Sequence, residues 1–422
     1  MSRDFERFGV RLRVQLTLIG IVAVAAVAAT LLYAQASGAY QNAVRQDVKR
    51  QAAVLEDIRY VYGDEAQLAF RVAVAQARAD GLEEVKDEGR VAASEHALAA
   101  QTAFGLSQAA EPGSILDLDR YRHQDLGYDL PRRLADVQRR ASGTYGIDPG
   151  ATLRAGDRKA AWGLACLGAA AAAVLVAVVA AQVVRPRRLR RTPAPGAPRV
   201  LRGVEVIPQP AVTTRDRRAS RVHLFVFALL LLLPLGQMFA SAGGQRAQAE
   251  AARKAIQLST SITAYAERSA FVAEGLQVAE IASLQATARE FASLETGVPP
   301  EEAQHEWAVA AAEERIAQQV RKIVDHMGRL PTTDDGVDPA AVAALHKPPE
   351  RLSDASAEQA RQVDLAKRAG RRAQLLAAAT AVAVITEALA AATAKATMRP
   401  KWWLGLGLST GGTLLLVGLA MA

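Results

Sequence analysis

The sequence predicts an all-α integral membrane protein with four or five transmembrane helices and two tandem extracytoplasmic helical-bundle domains. Three observations carry this. Uncharged apolar runs of membrane-spanning length recur along the 422 residues. The polar stretches between them place apolar residues at threes, fours and sevens, the period of amphipathic helices. An arginine-rich block stands between the second and third runs, and basic loops of that kind resist translocation and stay in the cytoplasm.

Residues 1–13 (MSRDFERFGVRLR) form a short cytoplasmic N-terminus with four arginines. Residues 14–34 follow without a charge over 21 positions, roughly 31 Å as a helix and enough to cross a bilayer. Ala34-Gln35-Ala36 fits a small-x-small cleavage site. The apolar run is longer than the 7–15 residues of a usual signal h-region, which favours an anchor over a cleaved signal.

Residues 35–159 make the first extracytoplasmic segment. Val44, Val48, Leu55, Ile58 and Tyr62 mark an amphipathic helix, Gly63-Asp64 is expected to end it and cap the next, and helical patterning runs over 68–78 and again over 82–107. Glu111-Pro112-Gly113 breaks the pattern, the stretch to Gly127 has turn character, and a short helix is expected from Leu130-Pro131. The second span is 160–184, with Trp162 at its outer edge and Arg185, Arg187 and Arg188 at its inner edge.

The linker 185–221 holds eleven arginines, among them Arg190, Arg191, Arg215, Arg217 and Arg218, against only Glu205 and Asp216. Its several prolines predict an extended cytoplasmic tether held near anionic lipid. The third span, 222–240, is Leu-rich with a kink expected at Pro234. The second extracytoplasmic segment, 241–372, opens as an amphipathic helix, loops at Gly297-Val298-Pro299-Pro300, resumes with Glu301 and Glu302, turns irregular over 330–339, and returns as a helix over 353–369. A fourth, Ala-rich span covers 373–393, a basic turn 394–401, and a fifth span 402–421 opens on the interfacial Trp402 and Trp403. Lys367, Arg368, Arg371 and Arg372 stand against the charge rule, since they gather on the outer edge of the fourth span.

The two halves repeat landmarks in order. Arg13-Val14-x-Leu16 precedes the first span and Arg221-Val222-x-Leu224 the third. Leu130-Pro131 is followed by Gly146-Ile147-Asp148-Pro149, as Leu330-Pro331 is by Gly336-Val337-Asp338-Pro339. Arg154-Ala155-Gly156-x-Arg158 and Arg368-Ala369-Gly370-x-Arg372 stand before the second and fourth spans, each followed 31 residues on by an Arg-Pro pair. This pattern predicts a duplicated span–ectodomain–span unit. An even number of spans per unit makes the copies parallel rather than inverted.

Composition excludes several functions. The net charge of +8 gathers at membrane flanks, while 35–159 (17 basic, 19 acidic) and 241–370 (14 basic, 19 acidic) are mildly acidic. With aromatics at 5%, a base-stacking platform is not expected, and no nucleic-acid partner is. Cys166 is the single cysteine, which rules out an intramolecular disulfide and a multi-cysteine zinc site. None of the six histidines stands in a tight metal spacing. No nucleophile elbow, Walker loop or dinucleotide fingerprint appears, so no enzyme, cofactor or metal is expected.

Two features invite function. Glu387 lies about 6 Å to the cytoplasmic side of the fourth span's midpoint, and an ionisable group there is a functional candidate by default. Gly407-x-x-x-Gly411 in the last span permits close helix packing, either within the chain or in a homo-oligomer. The span–helical ectodomain–span plan resembles, in architecture, the input half of bacterial chemoreceptors and sensor kinases. The chain lacks a HAMP-like linker, a kinase core and a methyl-accepting hairpin, so the resemblance implies output through a partner. The expected function is that of a non-enzymatic sensory or scaffolding subunit of a bacterial cell-envelope assembly, in the lipid bilayer of the plasma membrane and with protein partners. The alternative is a transporter or transport-accessory subunit using Glu387.

Overall fold

The computed structural model describes residues 2–189, 214–395 and 401–421, with side chains for residues 17, 20–176, 230, 232–389 and 405–421. It is all-α, with 87% of the chain helical. The helices are α1 (Ser2–Ile58), α2 (Ala66–Glu83), α3 (Arg90–Gln108), α4 (Leu130–Arg140), α5 (Ser142–Tyr145), α6 (Pro149–Leu189), α7 (Thr214–Ser293), α8 (Pro300–Met327), α9 (Pro339–Leu345), α10 (Pro349–Lys395) and α11 (Lys401–Met421). A two-residue antiparallel ladder pairs Arg122 with Tyr128 and His123 with Gly127. Among the described residues, three helical stretches are long and apolar enough to cross a membrane: Gly20–Glu83, Ser142–Val176 and Pro349–Leu389. They overlap the expected first, second and fourth spans. Gly405–Met421 is a shorter apolar helix. The expected third span falls in α7, where the side chains of 222–229 and 231 lie outside the described residues; Pro234 sits inside that helix, which continues on either side.

The helix ends follow local chemistry. Asp129 caps α4 by accepting from the Arg132 backbone N–H, and Asp338 caps α9 by accepting from those of Ala340 and Ala341. Pro131, Pro300 and Pro339 lie in the first turns of α4, α8 and α9, where a missing N–H costs nothing. Gly113, Gly297 and Gly336 take positive φ in the expected breaks. One break is not where expected. Across Gly63-Asp64 the backbone stays helical, as a π-helical turn over Arg59–Glu65. The side chains around it, Val61, Tyr62 and Glu65, are all buried. A capped break would have exposed some of them.

The chain divides into two compact units. One comprises Arg45–Asp148 and Ala252–Gln359. The two polar segments are therefore not tandem domains with separate cores, as the sequence suggested. Val54, Ile58, Tyr62, Phe70 and Leu82 from the first share a single hydrophobic cluster with Phe271, Ile316, Val320, Val324 and Met327 from the second. Phe70 and Phe271 meet edge to face at 5.8 Å. A Cβ placed on Gly275 would lie 2.5 Å from Val324, so the backbone of α7 lies against α8 there. The physical reason is that each segment supplies only about two long helices with Ala-rich stripes. Such a pair leaves apolar area uncovered until a second pair closes over it.

The other unit comprises Met1–Val44, Pro149–Ala251 and Ala360–Ala422. Its helices cross on small residues. A Cβ on Gly156 would lie 2.7 Å from the Tyr40 ring, and one on Gly163 would lie 3.2 Å from the Tyr33 ring, so α6 passes close to α1. Tyr40 donates its hydroxyl to Asp157, 3.1 Å away, and Asp157 also pairs with Arg246 of α7. In the second half a Cβ on Gly244 would lie 3.4 Å from Ala369 and 3.7 Å from the Gly370 backbone nitrogen. The Arg-Ala-Gly landmark thus marks the close crossing of two helices in each half.

Candidate functional site

The residues singled out in the sequence do not converge. Glu387 is half-buried in α10, and Trp162 is exposed on α6. Arg190 and Arg191 lie outside the described residues. Arg185, Arg187 and Arg188 end α6, Arg215, Arg217 and Arg218 begin α7, and Trp402 and Trp403 begin α11, with their side chains likewise outside the described residues. Gly407 and Gly411 have no atom within 4 Å of a Cβ placed on them. The glycines that α11 turns toward α10 are Gly405, beside Leu389, and Gly412, beside Val382. Seven residues separate those two, which puts them on one face, and 407 and 411 fall on another. Among the described residues no three His, Cys, Asp or Glu side chains gather as a metal site would require.

What the fold brings together instead are charges inside the unit built from 45–148 and 252–359. In the π-helical turn, Glu65 accepts from Arg133 through two bonds of 2.7 Å, one from Nε and one from Nη2. Their side chains are only 7% and 2% exposed. The Ile115 backbone N–H donates to the same carboxylate, and the guanidinium lies over the rings of Tyr60 and Tyr121. A bidentate fork with stacked aromatics is the geometry that offsets the cost of drying two charges. The carboxylate of Glu65 and the hydroxyl of Tyr121 hold the guanidinium pKa above its usual range, against its burial. Removing one partner would strand the other, and replacing both would not.

A second network joins four helices. Arg78 of α2 donates to Glu313 of α8 at 2.8 Å and to Glu95 of α3 at 3.3 Å. Arg289 of α7 donates to Glu95 and, at 3.2 Å, to Glu306. Three carboxylates against two guanidinium groups leave this cluster with one excess negative charge. Glu313 is 1% exposed, its Oε2 has no hydrogen-bond partner among the described residues, and burial pushes its carboxyl above the usual range. Beside Arg78 and Glu95 opens a cavity of about 530 Å³, walled by Phe70, Val74, Leu98 and Val278, with Arg71 and Glu274 also in its lining. Such a site, apolar along its wall and ionic at one end, suits a small amphipathic ligand that would compete with the ion pairs.

Near the ladder, the rings of His123 and His326 lie 4.9 Å apart. Burial, the neighbouring His123 and Arg329 lower the His326 pKa. Among the described residues no third His, Cys, Asp or Glu joins this pair.

The signal that would have located these groups was present in the sequence. Arg133 sits on the stripe of Leu130 and Leu134, Glu313 on that of Val309, Ala312 and Ile316, and Glu65 on that of Val61, Tyr62 and Ala69. A charge at a stripe position is a charge facing the core. No protein-family model, no curated protein and no solved structure matches the chain.

Proposed function

We propose that the chain is a non-enzymatic multi-pass protein of the plasma membrane, acting as a sensory or scaffolding subunit of a bacterial envelope assembly. The N-terminus and the arginine-rich linker are cytoplasmic, four or five helices span the bilayer, and the unit formed by 45–148 and 252–359 lies outside. One observation carries this reading. Helices α1 and α7 each hold an apolar run and, further along, side chains of the charged, shared core. Near those entry points Asp47, 2% exposed, accepts from Arg253 and Gln257 at 3.1 Å each and ties α1 to α7. A ligand or protein that perturbs the network of Arg78, Glu95, Arg289 and Glu313 acts on α7 through Arg289 and on α2, which continues α1 through the π-helical turn. It therefore acts on the helices that lead to the membrane, which is what a relay requires.

Crosslinked purification of the full chain from its native membranes is expected to recover an envelope partner, with recovery reduced in Asp47→Ala. Proton- or solute-coupled flux in vesicles, abolished by Glu387→Gln, would instead make the chain a transporter and end the scaffold reading. Orientation is tested after replacing Cys166. An impermeant thiol reagent on whole cells should label Arg90→Cys and Glu301→Cys and spare Val200→Cys; the opposite pattern would invert the topology.

A further inference from the structure

Within the unit that contains the apolar helices, α6, α7, α10 and α11 line an open cavity of about 1360 Å³. That exceeds the roughly 300–1,000 Å³ that holds a compact small molecule. Its lining is divided along its length. On α7 it is apolar from Leu232 through Leu233, Gly236 and Phe239 to Gly243, and Leu376, Val417 and Met421 face the same space. Those eleven steps along α7 span roughly 16 Å, the hydrocarbon depth of one leaflet. Beyond them the lining turns polar, with Arg246, Glu250, Gln362, Arg368 and Arg372.

The two arginines of α10 are one turn apart, at i and i+4, and so share a face with Leu365, Ala369 and Leu376. Arg246 is engaged by Asp157 at 3.1 Å. Arg368 and Arg372 have neither a hydrogen-bond nor an ion-pair partner among the described residues, and both are exposed. They belong to the basic group that violates the charge rule at the outer edge of the fourth span, where cations aid neither topology nor translocation.

We infer that this cavity is a binding site for one anionic phospholipid of the outer leaflet, its phosphate held by Arg368 and Arg372 and its acyl chains laid between Leu233, Phe239 and Leu376. The assignment rests on the membrane reading above, and it gives the misplaced arginines a use. A guanidinium fork at the headgroup level, one turn from an apolar wall a leaflet deep, matches an amphiphile with a phosphate at one end. The phosphate alone would leave the space along Leu233, Phe239 and Leu376 unfilled, so a lipid is the occupant and a free anion is not.

The test is native mass spectrometry of the full chain, purified in detergent doped with equal phosphatidylglycerol and phosphatidylcholine. One phosphatidylglycerol is expected to stay bound after phosphatidylcholine has been stripped. The Arg368→Gln/Arg372→Gln variant should retain it at least about tenfold less, as expected when charged hydrogen bonds are removed. Lys367→Gln/Arg371→Gln removes the same charge from positions outside the cavity and should retain it as the parent does. Gly236→Phe, which fills the apolar end with both arginines intact, should also lose it, and millimolar inorganic phosphate should not displace it. Far-UV circular dichroism at parental helicity qualifies each variant. Equal retention of the two lipids, unchanged binding in Arg368→Gln/Arg372→Gln or Gly236→Phe, displacement by phosphate, or equal loss in the control pair would each overturn the site. A chain recovered without detergent would overturn the membrane reading first, before any lipid is counted.

Discussion

Arg133 shows how one charged side chain can sit fully buried in a core. In LPRRLADVQRR it is one of four arginines, but it falls on the stripe of Leu130 and Leu134, where its guanidinium lies over the rings of Tyr60 and Tyr121 and grips Glu65. Arg133→Met should lower stability by about 3–5 kcal/mol because it strands the Glu65 charge, and adding Glu65→Met should restore most of the loss. Thermal melts followed by circular dichroism read both; equal destabilisation in the double variant would mean that packing, not charge, is at stake. Glu313 carries a prediction about pH. Its folded pKa is raised, by burial first, above the unfolded value of 4.5. The folded state therefore binds the proton more tightly than the unfolded one, and the stability linked to this group is fully present below that value and lost as pH rises through the folded pKa. Glu313→Gln should accordingly raise the melting temperature at pH 8 and bring little change near pH 4. A melting temperature lowered at pH 8 would show that the pairing with Arg78 outweighs desolvation.

At the scale of elements, small residues decide where helices touch. Gly156 and Gly370 occupy the same place in the duplicated landmark, but only the first has a ring beside it, with Tyr40 2.7 Å from a Cβ placed there and nothing within 4 Å at Gly370. Gly156→Val should cost about 1–3 kcal/mol by overpacking, and Gly370→Ala should be neutral or slightly stabilising through helix propensity. Size-exclusion profiles and melts in detergent read the pair; a tolerant Gly156→Val would mean that α1 and α6 are not held this closely. The π-helical turn belongs to the same scale. Glycine and aspartate in sequence signal a break, but burial of Tyr62 and Glu65 on either side keeps the backbone helical.

For the molecule as a whole, the consequential fact is the single core assembled from both polar segments. Residues 45–148 expressed alone should show no cooperative thermal transition, and mixing with 252–359 should restore one, because the fragment lacks the face against which Phe70 and Leu82 are buried. A sharp melt in the isolated fragment would revive two independent bundles. The repeated Arg-Ala-Gly landmarks coincide with close crossings at Gly156 and Gly244, whereas Asp148-Pro149 opens the long α6 and Asp338-Pro339 opens only the seven-residue α9.

The helical class, the apolar runs and the breaks at Glu111-Pro112-Gly113, at Gly297 and at Leu330-Pro331 were all readable from residue order, because each depends on neighbours within a turn or two. The shared core was not, since nothing local states which of several Ala-rich stripes a given stripe will face. Burial of Glu65, Arg133 and Glu313 was half legible: their place on apolar stripes was written in the spacing, but their partners lie 68 residues apart in one pair and 235 in the other. Only the tertiary structure chose Gly405 and Gly412 over Gly407 and Gly411, because the rotation of a uniformly apolar helix is set by what packs against it and by nothing in its own sequence.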